Sequence, residues 1–268
     1  MVEVLHAILL GIVEGLTEFL PISSTGHLII AEHYTHFKDQ AEIFTVAIQS
    51  GAIAAVIWHY RVDLFAKTAG LFAGRAKAKN FFWKIFIATL PALILGFVLK
   101  DTVDKASKPS VVAWALIAGA FVLWWADKKA PASQVDHKQD IDAVTTKQAF
   151  LAGLAQCVAL IPGVSRSGAS IVGGLAGGLN RVTATAFSFY LAIPVLLLAS
   201  AYKLFHGRHD LAGSVDGGVG SIIIGIVVSF FVALVSISWL LRYVSGHSFK
   251  VFVYYRIALG ILVLALLI

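Results

Sequence analysis

Apolar residues run almost without interruption through six stretches of this chain, 41–60, 81–100, 110–127, 183–205, 218–241 and 251–268. Each is near the roughly 20 residues that an α-helix needs to cross the hydrocarbon core of a bilayer. Strands of a membrane barrel would instead alternate apolar and polar positions over segments of about ten residues. The pattern predicts an all-α polytopic membrane protein with six transmembrane helices, the whole of 1–268 forming a single membrane domain. Two further apolar runs, 3–36 and 148–182, are broken midway by Pro, Gly and hydroxyl residues. Non-helical backbone at membrane depth survives only where protein or a water-filled cavity satisfies its N–H and C=O groups. The breaks at 21–26 and 162–168 therefore predict two re-entrant helical hairpins that line an internal cavity.

The hairpins are faint copies of each other at an offset of 142 residues, from Gly11 through His27 in the first and from Gly153 through Gly168 in the second. The echo continues, with Phe44 matching Phe187 at 143, Ala92-Leu93 matching Ala233-Leu234 at 141, and Gly119 matching Gly260 at 141. Each half then holds one hairpin and three spans. Three is odd, so the second half must enter from the opposite side of the bilayer. That makes an inverted-topology repeat, with halves of approximately 1–140 and 141–268 and a site near the midplane. The boundary falls in a polar stretch, 128–147, that reads as a loop.

Composition and charge narrow the class further. With 59% hydrophobic residues, 13% charged residues and a mean hydropathy of +0.85, a soluble domain of this length is excluded. Lys and Arg concentrate in the expected loops 61–80 (five) and 128–147 (four), against two in 101–109 and only Arg208 in 206–217. The positive-inside rule puts the richer loops in the cytoplasm, so both termini and the ends of the first hairpin lie outside. A net charge of +6 fits juxtamembrane basic residues, and nucleic acid is not an expected partner. The N-terminus lacks the basic flank and cleavage site of a signal peptide and is expected to stay. Cys157 is the single cysteine and cannot form an intrachain disulfide.

Ionisable groups inside hydrocarbon mark a functional site by default. Glu14 and Glu18 are four apart and share a helix face, where two carboxylates repel. Either one stays protonated or a cation sits between them. Mg²⁺ typically takes one or two carboxylates and completes its shell with water and phosphate oxygens; the alternative is a proton or Na⁺ relay. Next comes Pro21-Ile22-Ser23-Ser24-Thr25-Gly26-His27, in which proline breaks a helix and the hydroxyl residues can cap the following one. This aims a helix N-terminus, an anion site, into the cavity. Ser24 and His27 are three apart, a spacing that suits a hydroxyl nucleophile and its base. A capping serine and a buried histidine are the structural alternative.

In the second hairpin, Ser165-Arg166-Ser167-Gly168 puts a guanidinium where the first has Ser24. Its fork suits phosphate oxygens, although it could instead only neutralise Glu14 or Glu18. Arg256, in the last span, either reaches the cavity or snorkels to the interface. The glycines between Gly173 and Gly178 lack the Gly-Lys-Ser/Thr of a phosphate-binding loop and read as helix packing. Gln49 and Gln156 read as helix–helix hydrogen-bonding groups.

Glu14-Gly15-Leu16-Thr17-Glu18-Phe19-Leu20-Pro21-Ile22-Ser23-Ser24-Thr25-Gly26-His27, together with Pro162-Gly163-Val164-Ser165-Arg166-Ser167-Gly168-Ala169-Ser170, closely resembles the bacterial undecaprenyl-diphosphatase family linked to bacitracin resistance. The likeness spans the chain and departs mildly at Val164 and Ser170, where relatives often carry Phe and Thr. It implies hydrolysis of undecaprenyl diphosphate to undecaprenyl phosphate and inorganic phosphate, dependent on a divalent cation (Mg²⁺ or Ca²⁺). The setting would be the bacterial inner membrane, among bilayer lipids, with the pocket open to the periplasm; the product feeds peptidoglycan synthesis. By position, the resemblance makes Glu14 and Glu18 the acidic pair and metal ligands. Ser24 and His27 become nucleophile and acid/base candidates, and Arg166 the phosphate-binding arginine. Ser23, Thr25, Gly26, Ser165, Ser167, Gly168, Ser170 and Arg256 are expected to contact substrate. The separate acid-phosphatase superfamily is set aside, because Val172 and Ala176 stand where its histidine and aspartate would be. A different class, a transporter or flippase of an anionic polyprenyl lipid or small anion, fits the same broken-helix architecture. Oligomeric state is open from sequence, a homodimer included.

Overall fold

The computed structural model describes residues 2–37, 39, 43–106, 108–130, 141–206 and 215–267. Its helices are α1 (Val2–Thr17), α2 (Ser24–Thr35), α3 (Ile43–His59), α4 (Arg61–Phe72), α5 (Ala76–Ala106), α6 (Pro109–Lys129), α7 (Thr146–Gln156), α8 (Arg166–Ala176), α9 (Arg181–His206), α10 (Gly218–Gly246) and α11 (Lys250–Leu267). A 3-10 turn at Cys157–Leu160 extends α7, and one antiparallel bridge joins Asp39 to Val215. The chain is all-α among the described residues. Each of the six apolar stretches falls on one of α3, α5, α6, α9, α10 and α11. Among the described residues, α5, α6, α9 and α10 are long and apolar enough to cross a membrane, and α3 with α4 makes a fifth span if that pair, bent by 74°, counts as one.

The two broken runs are helical pairs, α1 with α2 and α7 with α8. α7 starts on a capping box, Thr145 Oγ1 accepting from the Gln148 amide at 3.2 Å while Gln148 Oε1 accepts from the Thr145 amide at 2.9 Å. Corresponding elements keep the register of the sequence echo: Ser24 and Arg166 open α2 and α8, and Ala76 and Gly218 open α5 and α10, each pair 142 residues apart. Packing follows the same exchange between halves, α1 lying on α10 and α7 on α5.

One expectation fails. Residues 61–80 are not a loop but α4 followed by the first turn of α5. Their basic residues suggested a connection, yet α4 is amphipathic. Asp63 and Lys67 pair at 3.5 Å along one turn, while Val62, Phe65 and Phe72 on the opposite face are strongly exposed. Residues 101–106 likewise continue α5. Of the polar boundary stretch, 131–140 lies outside the described residues, as do Arg208 and His209.

Helices approach closely where glycine removes the side chain. A Cβ on Gly11 would stand 2.8 Å from the Gly225 carbonyl oxygen on α10, and one on Gly153 would collide with the backbone of Ala88 on α5. These glycines are repeat mates. Gly153→Leu is expected to cost about 3 kcal/mol through overpacking. Thermal unfolding in detergent checks it, and a midpoint equal to the parent's contradicts it. The main core includes Phe19, from the turn of the first hairpin, whose ring meets Phe189 of α9 edge to face at 5.3 Å. That contact fixes the first break against the centre of the molecule.

Candidate active site

α1 ends at Thr17, whose hydroxyl donates to the Val13 carbonyl at 2.7 Å. Pro21 cannot continue a helix, and the chain turns before α2 begins at Ser24. Ser23 closes this turn at φ 71°, ψ 101°, a conformation that L side chains rarely adopt and that strains the backbone. The second break turns at Gly163 with φ 94°, where a Cβ would stand 2.5 Å from the Val112 carbonyl oxygen. Ser165 then caps α8, its Oγ accepting from the Gly168 amide at 3.1 Å. Ser23 forms no corresponding side-chain cap on α2 among the described residues. Both N-termini carry the positive end of a helix dipole, and only that of α8 is side-chain capped.

The two breaks touch. Ser167 Oγ donates to the Leu20 carbonyl at 2.8 Å, and Ser165 Oγ reaches the same oxygen at 3.4 Å. Across this contact lies an ion pair, Arg166 Nη2 at 3.2 Å from Glu18 Oε1, with side-chain exposures of only 11% and 5%. The other Nη of Arg166 donates to the Ser188 carbonyl at 3.0 Å, and its guanidinium stands 5.7 Å from the centroid of Phe19. Glu18 Oε2 accepts from Ser24 Oγ at 2.7 Å. One carboxylate thus joins the candidate nucleophile of the first hairpin to the arginine of the second. Glu14 is buried one turn earlier, and its Oε1 finds no hydrogen-bond partner among the described residues.

His27 does not meet Ser24. Its Nδ1 lies 2.7 Å from the Ser23 carbonyl and its Nε2 2.7 Å from the Tyr255 hydroxyl, with the two rings stacked at 5.5 Å. A carbonyl only accepts, so those partners assign the proton to Nδ1 and leave Nε2 accepting from Tyr255. The spacing of three residues brought the two side chains to the same region but not to each other, because the turn swings Ser24 back over Glu18.

Several residues expected to contact substrate hold internal hydrogen bonds. Ser165, Ser167 and Ser170 are buried, and their hydroxyls are taken by protein partners. Ser170 Oγ lies 2.7 Å from Ser188 Oγ and donates to the Arg166 carbonyl at 3.0 Å. These serines join the breaks to each other and to α9. Gly26 and Gly168 are buried where a Cβ would press on Leu116 and Arg256 respectively. Ser23 is buried and presents its carbonyl to His27. Thr25 is exposed, while Ser24 and His27 are half-buried. Arg256 neither reaches a cavity nor snorkels. It is 2% exposed and, among the described residues, donates only to backbone carbonyls. Gln156, expected to bond a neighbouring helix, is buried with both amide atoms unpartnered among the described residues.

Tyr255, Ser188 and Phe19 were not singled out from sequence. Tyr255 could have been, as a polar ring one residue from Arg256 in an apolar helix; Ser188 and Phe19 carry no local signal.

Chemically, the site offers a hydroxyl hydrogen-bonded to a carboxylate, a guanidinium beside it, and two helix N-termini. That set suits phosphoryl transfer. For a divalent cation the donors are sparse but suitable. Among the described residues there is no group of three or more His, Cys, Asp or Glu that could hold a metal. The unpartnered Glu14 oxygen beside Glu18 is nevertheless what a cation sharing its shell with phosphate oxygens requires.

Residues 7–262 match the family described as bacitracin resistance protein BacA. The chain is 46% identical over 262 residues to undecaprenyl-diphosphatase 1 of Paraburkholderia xenovorans, covering 96% of this chain and 93% of that protein. It is 45% identical over 265 residues to an undecaprenyl-diphosphatase of Acinetobacter baumannii, covering 98% and 95%. A third relative, the undecaprenyl-diphosphatase of Nitrosospira multiformis, is 47% identical over 262 residues, covering 97% and 93%.

Proposed function

The chain belongs to the bacitracin resistance protein BacA family, and from that premise we propose that it is a multi-pass membrane undecaprenyl-diphosphatase whose reaction runs where the two hairpin breaks meet. The observation that carries the site assignment is the Ser24–Glu18–Arg166 chain, a hydroxyl, a carboxylate and a guanidinium joined at 2.7 and 3.2 Å across the hairpins.

In this reading the terminal phosphate of the lipid diphosphate sits over the exposed edge of α2, by Thr25 and the N-terminus that lacks a serine cap. Glu18 takes the hydroxyl proton as Ser24 Oγ attacks the terminal phosphorus. The Oγ–P bond forms as the bridging P–O bond breaks, and undecaprenyl phosphate leaves. Water then hydrolyses the phosphoserine to inorganic phosphate and free Ser24. Arg166 holds the charge that spreads over the phosphoryl oxygens, and its fork is preorganised by Ser188. His27 Nε2 accepts from the Tyr255 hydroxyl at 2.7 Å, so it serves proton transfer through that hydroxyl, taking its proton as the hydroxyl oxygen takes one from the attacking water.

Two buried carboxylates repel a diphosphate. A divalent cation held by Glu14 and Glu18 would neutralise the phosphate oxygens and relieve that repulsion. The fold we propose around this site has six spans and two re-entrant hairpins in an inverted repeat, in the inner membrane, with the site open to the periplasm. The matched starts of α2 and α8 and of α5 and α10 support it, as does the basic character of α4 and its flank.

The test is release of inorganic phosphate from undecaprenyl diphosphate by purified protein in detergent. Release is expected with Mg²⁺ or Ca²⁺ and should stop with a chelator. Glu14→Gln should retain less than about a tenth of kcat and require more cation. Full activity in chelator would remove the cation from the reading. A wild type that moves the lipid across vesicles and releases no phosphate would replace hydrolysis by transport.

A further inference from the structure

Arg256 carries one positive charge into the centre of the molecule and spends it on backbone. Nε donates to the Leu116 carbonyl at 3.2 Å, Nη1 to Pro21 at 3.2 Å, and Nη2 to Ala115 at 3.3 Å and Gly163 at 3.5 Å. Two of these carbonyls lie on α6. The other two belong to the breaks, Pro21 to the first and Gly163 to the second. Both breaks leave C=O groups without helical partners, which at membrane depth must be satisfied internally. A guanidinium is the one side chain that presents five donors in a rigid fork.

The surrounding sequence makes room for it. A Cβ on Gly119 of α6 would fall on Nη2, and one on Gly168 would stand 3.1 Å from Nη1. A glycine on α6 and a glycine in the first turn of α8 therefore outline the space the guanidinium fills. Its neighbours in the chain matter as well. Pro21 lies three residues from both Glu18 and Ser24, Gly163 lies three from Arg166, and Tyr255, which holds His27, precedes Arg256.

We propose that Arg256 is a positioning residue that clamps the two hairpin breaks to each other and to α6, so that Ser24 and Glu18 are presented to Arg166 in one fixed geometry. It acts through the backbone and does not touch substrate. Its kinetic consequence rests on the phosphatase reading; its structural consequence does not. An interaction that only sets geometry is expressed in the transition state, so its loss lowers kcat and leaves KM nearly alone. An arginine that bound substrate equally in the ground and transition states would do the reverse.

Three variants test it: Arg256→Lys, Gly119→Ala and the double variant. Lysine keeps the charge but cannot fork to carbonyls on three segments. Gly119→Ala displaces the guanidinium without altering Arg256. Each single variant is expected to lower kcat roughly tenfold or more with KM within about threefold of wild type, and the double variant to be no worse than the poorer single. Hydrogen–deuterium exchange should rise about tenfold in peptides covering 18–27 and 161–170 and stay unchanged in 43–59. A rise in KM at constant kcat, unchanged exchange in both breaks, additive losses, or failure of all three variants to fold would overturn the clamp. If wild type releases no phosphate, the phosphatase reading fails, and the exchange data still decide Arg256.

Discussion

Arg166→Ala is expected to abolish phosphate release, lowering kcat by about a thousandfold or more, close to 4 kcal/mol of transition-state stabilisation. Two losses combine. The transferring phosphoryl loses the guanidinium that would bear its developing charge, and Glu18 loses its ion-pair partner at 3.2 Å while remaining buried at 5% exposure. Removing one member of a buried pair typically costs 3–5 kcal/mol, because the other charge is stranded. Here the stranded carboxylate also faces Glu14. Stability and chemistry can be separated with Glu18→Gln/Arg166→Ala, which removes both charges. That double variant should recover much of the thermal midpoint and none of the activity. Arg166→Lys keeps a charge but loses the simultaneous contacts to Glu18 and Ser188, so it should be nearly as inactive. An Arg166→Ala protein with more than a tenth of wild-type kcat would take the arginine out of the reaction.

The sequence carries the long elements and the breaks because both are written in local chemistry. Long apolar runs predict long helices, and each break is marked by proline, glycine and hydroxyl residues clustered together, whereas the lone Pro91 and Pro194 sit inside α5 and α9. The echo even fixes where helices resume, since Ser24 and Arg166 both open one. What stayed hidden depends on partners far away in the chain. Tyr255 reaches His27 across 228 residues, and Arg256 gathers carbonyls from three separate segments. A carbonyl has no sequence identity, so an arginine that binds four of them looks in sequence like an arginine awaiting phosphate. The same limit explains the serines of the second break. Ser165, Ser167 and Ser170 read as ligands for an anion because a hydroxyl's acceptor cannot be seen until the Leu20 carbonyl and Ser188 are brought to it. α4 was missed for a different reason. Its charges have the density of a loop, and only the spacing of Asp63 and Lys67, one turn apart, marks a helix.

Ser24→Ala should likewise remove phosphate release, by about a thousandfold or more if the hydroxyl is the nucleophile. The geometry separates this from the neighbouring alternatives. Ser24 Oγ already donates to Glu18 Oε2 at 2.7 Å, so the proton it must lose has an acceptor in place. His27 Nε2 is occupied by Tyr255 and its Nδ1 by the Ser23 carbonyl, which leaves the imidazole oriented but without a free lone pair for attack. If water attacked directly, the hydroxyl would only help to position it, and alanine should cost no more than about tenfold. His27→Ala is expected to slow both half-reactions yet still leave a covalent intermediate. Rapid acid quenching of enzyme with phosphate-labelled lipid reads the difference. A serine ester survives acid and maps to the peptide around Ser24, whereas a phosphohistidine is lost in acid and survives base. Acid-stable label that disappears in Ser24→Ala and accumulates in His27→Ala is the expected pattern. Base-stable label, or none during active turnover, would assign the attack to His27 or to water and leave Ser24 as the hydrogen-bond donor that orients Glu18.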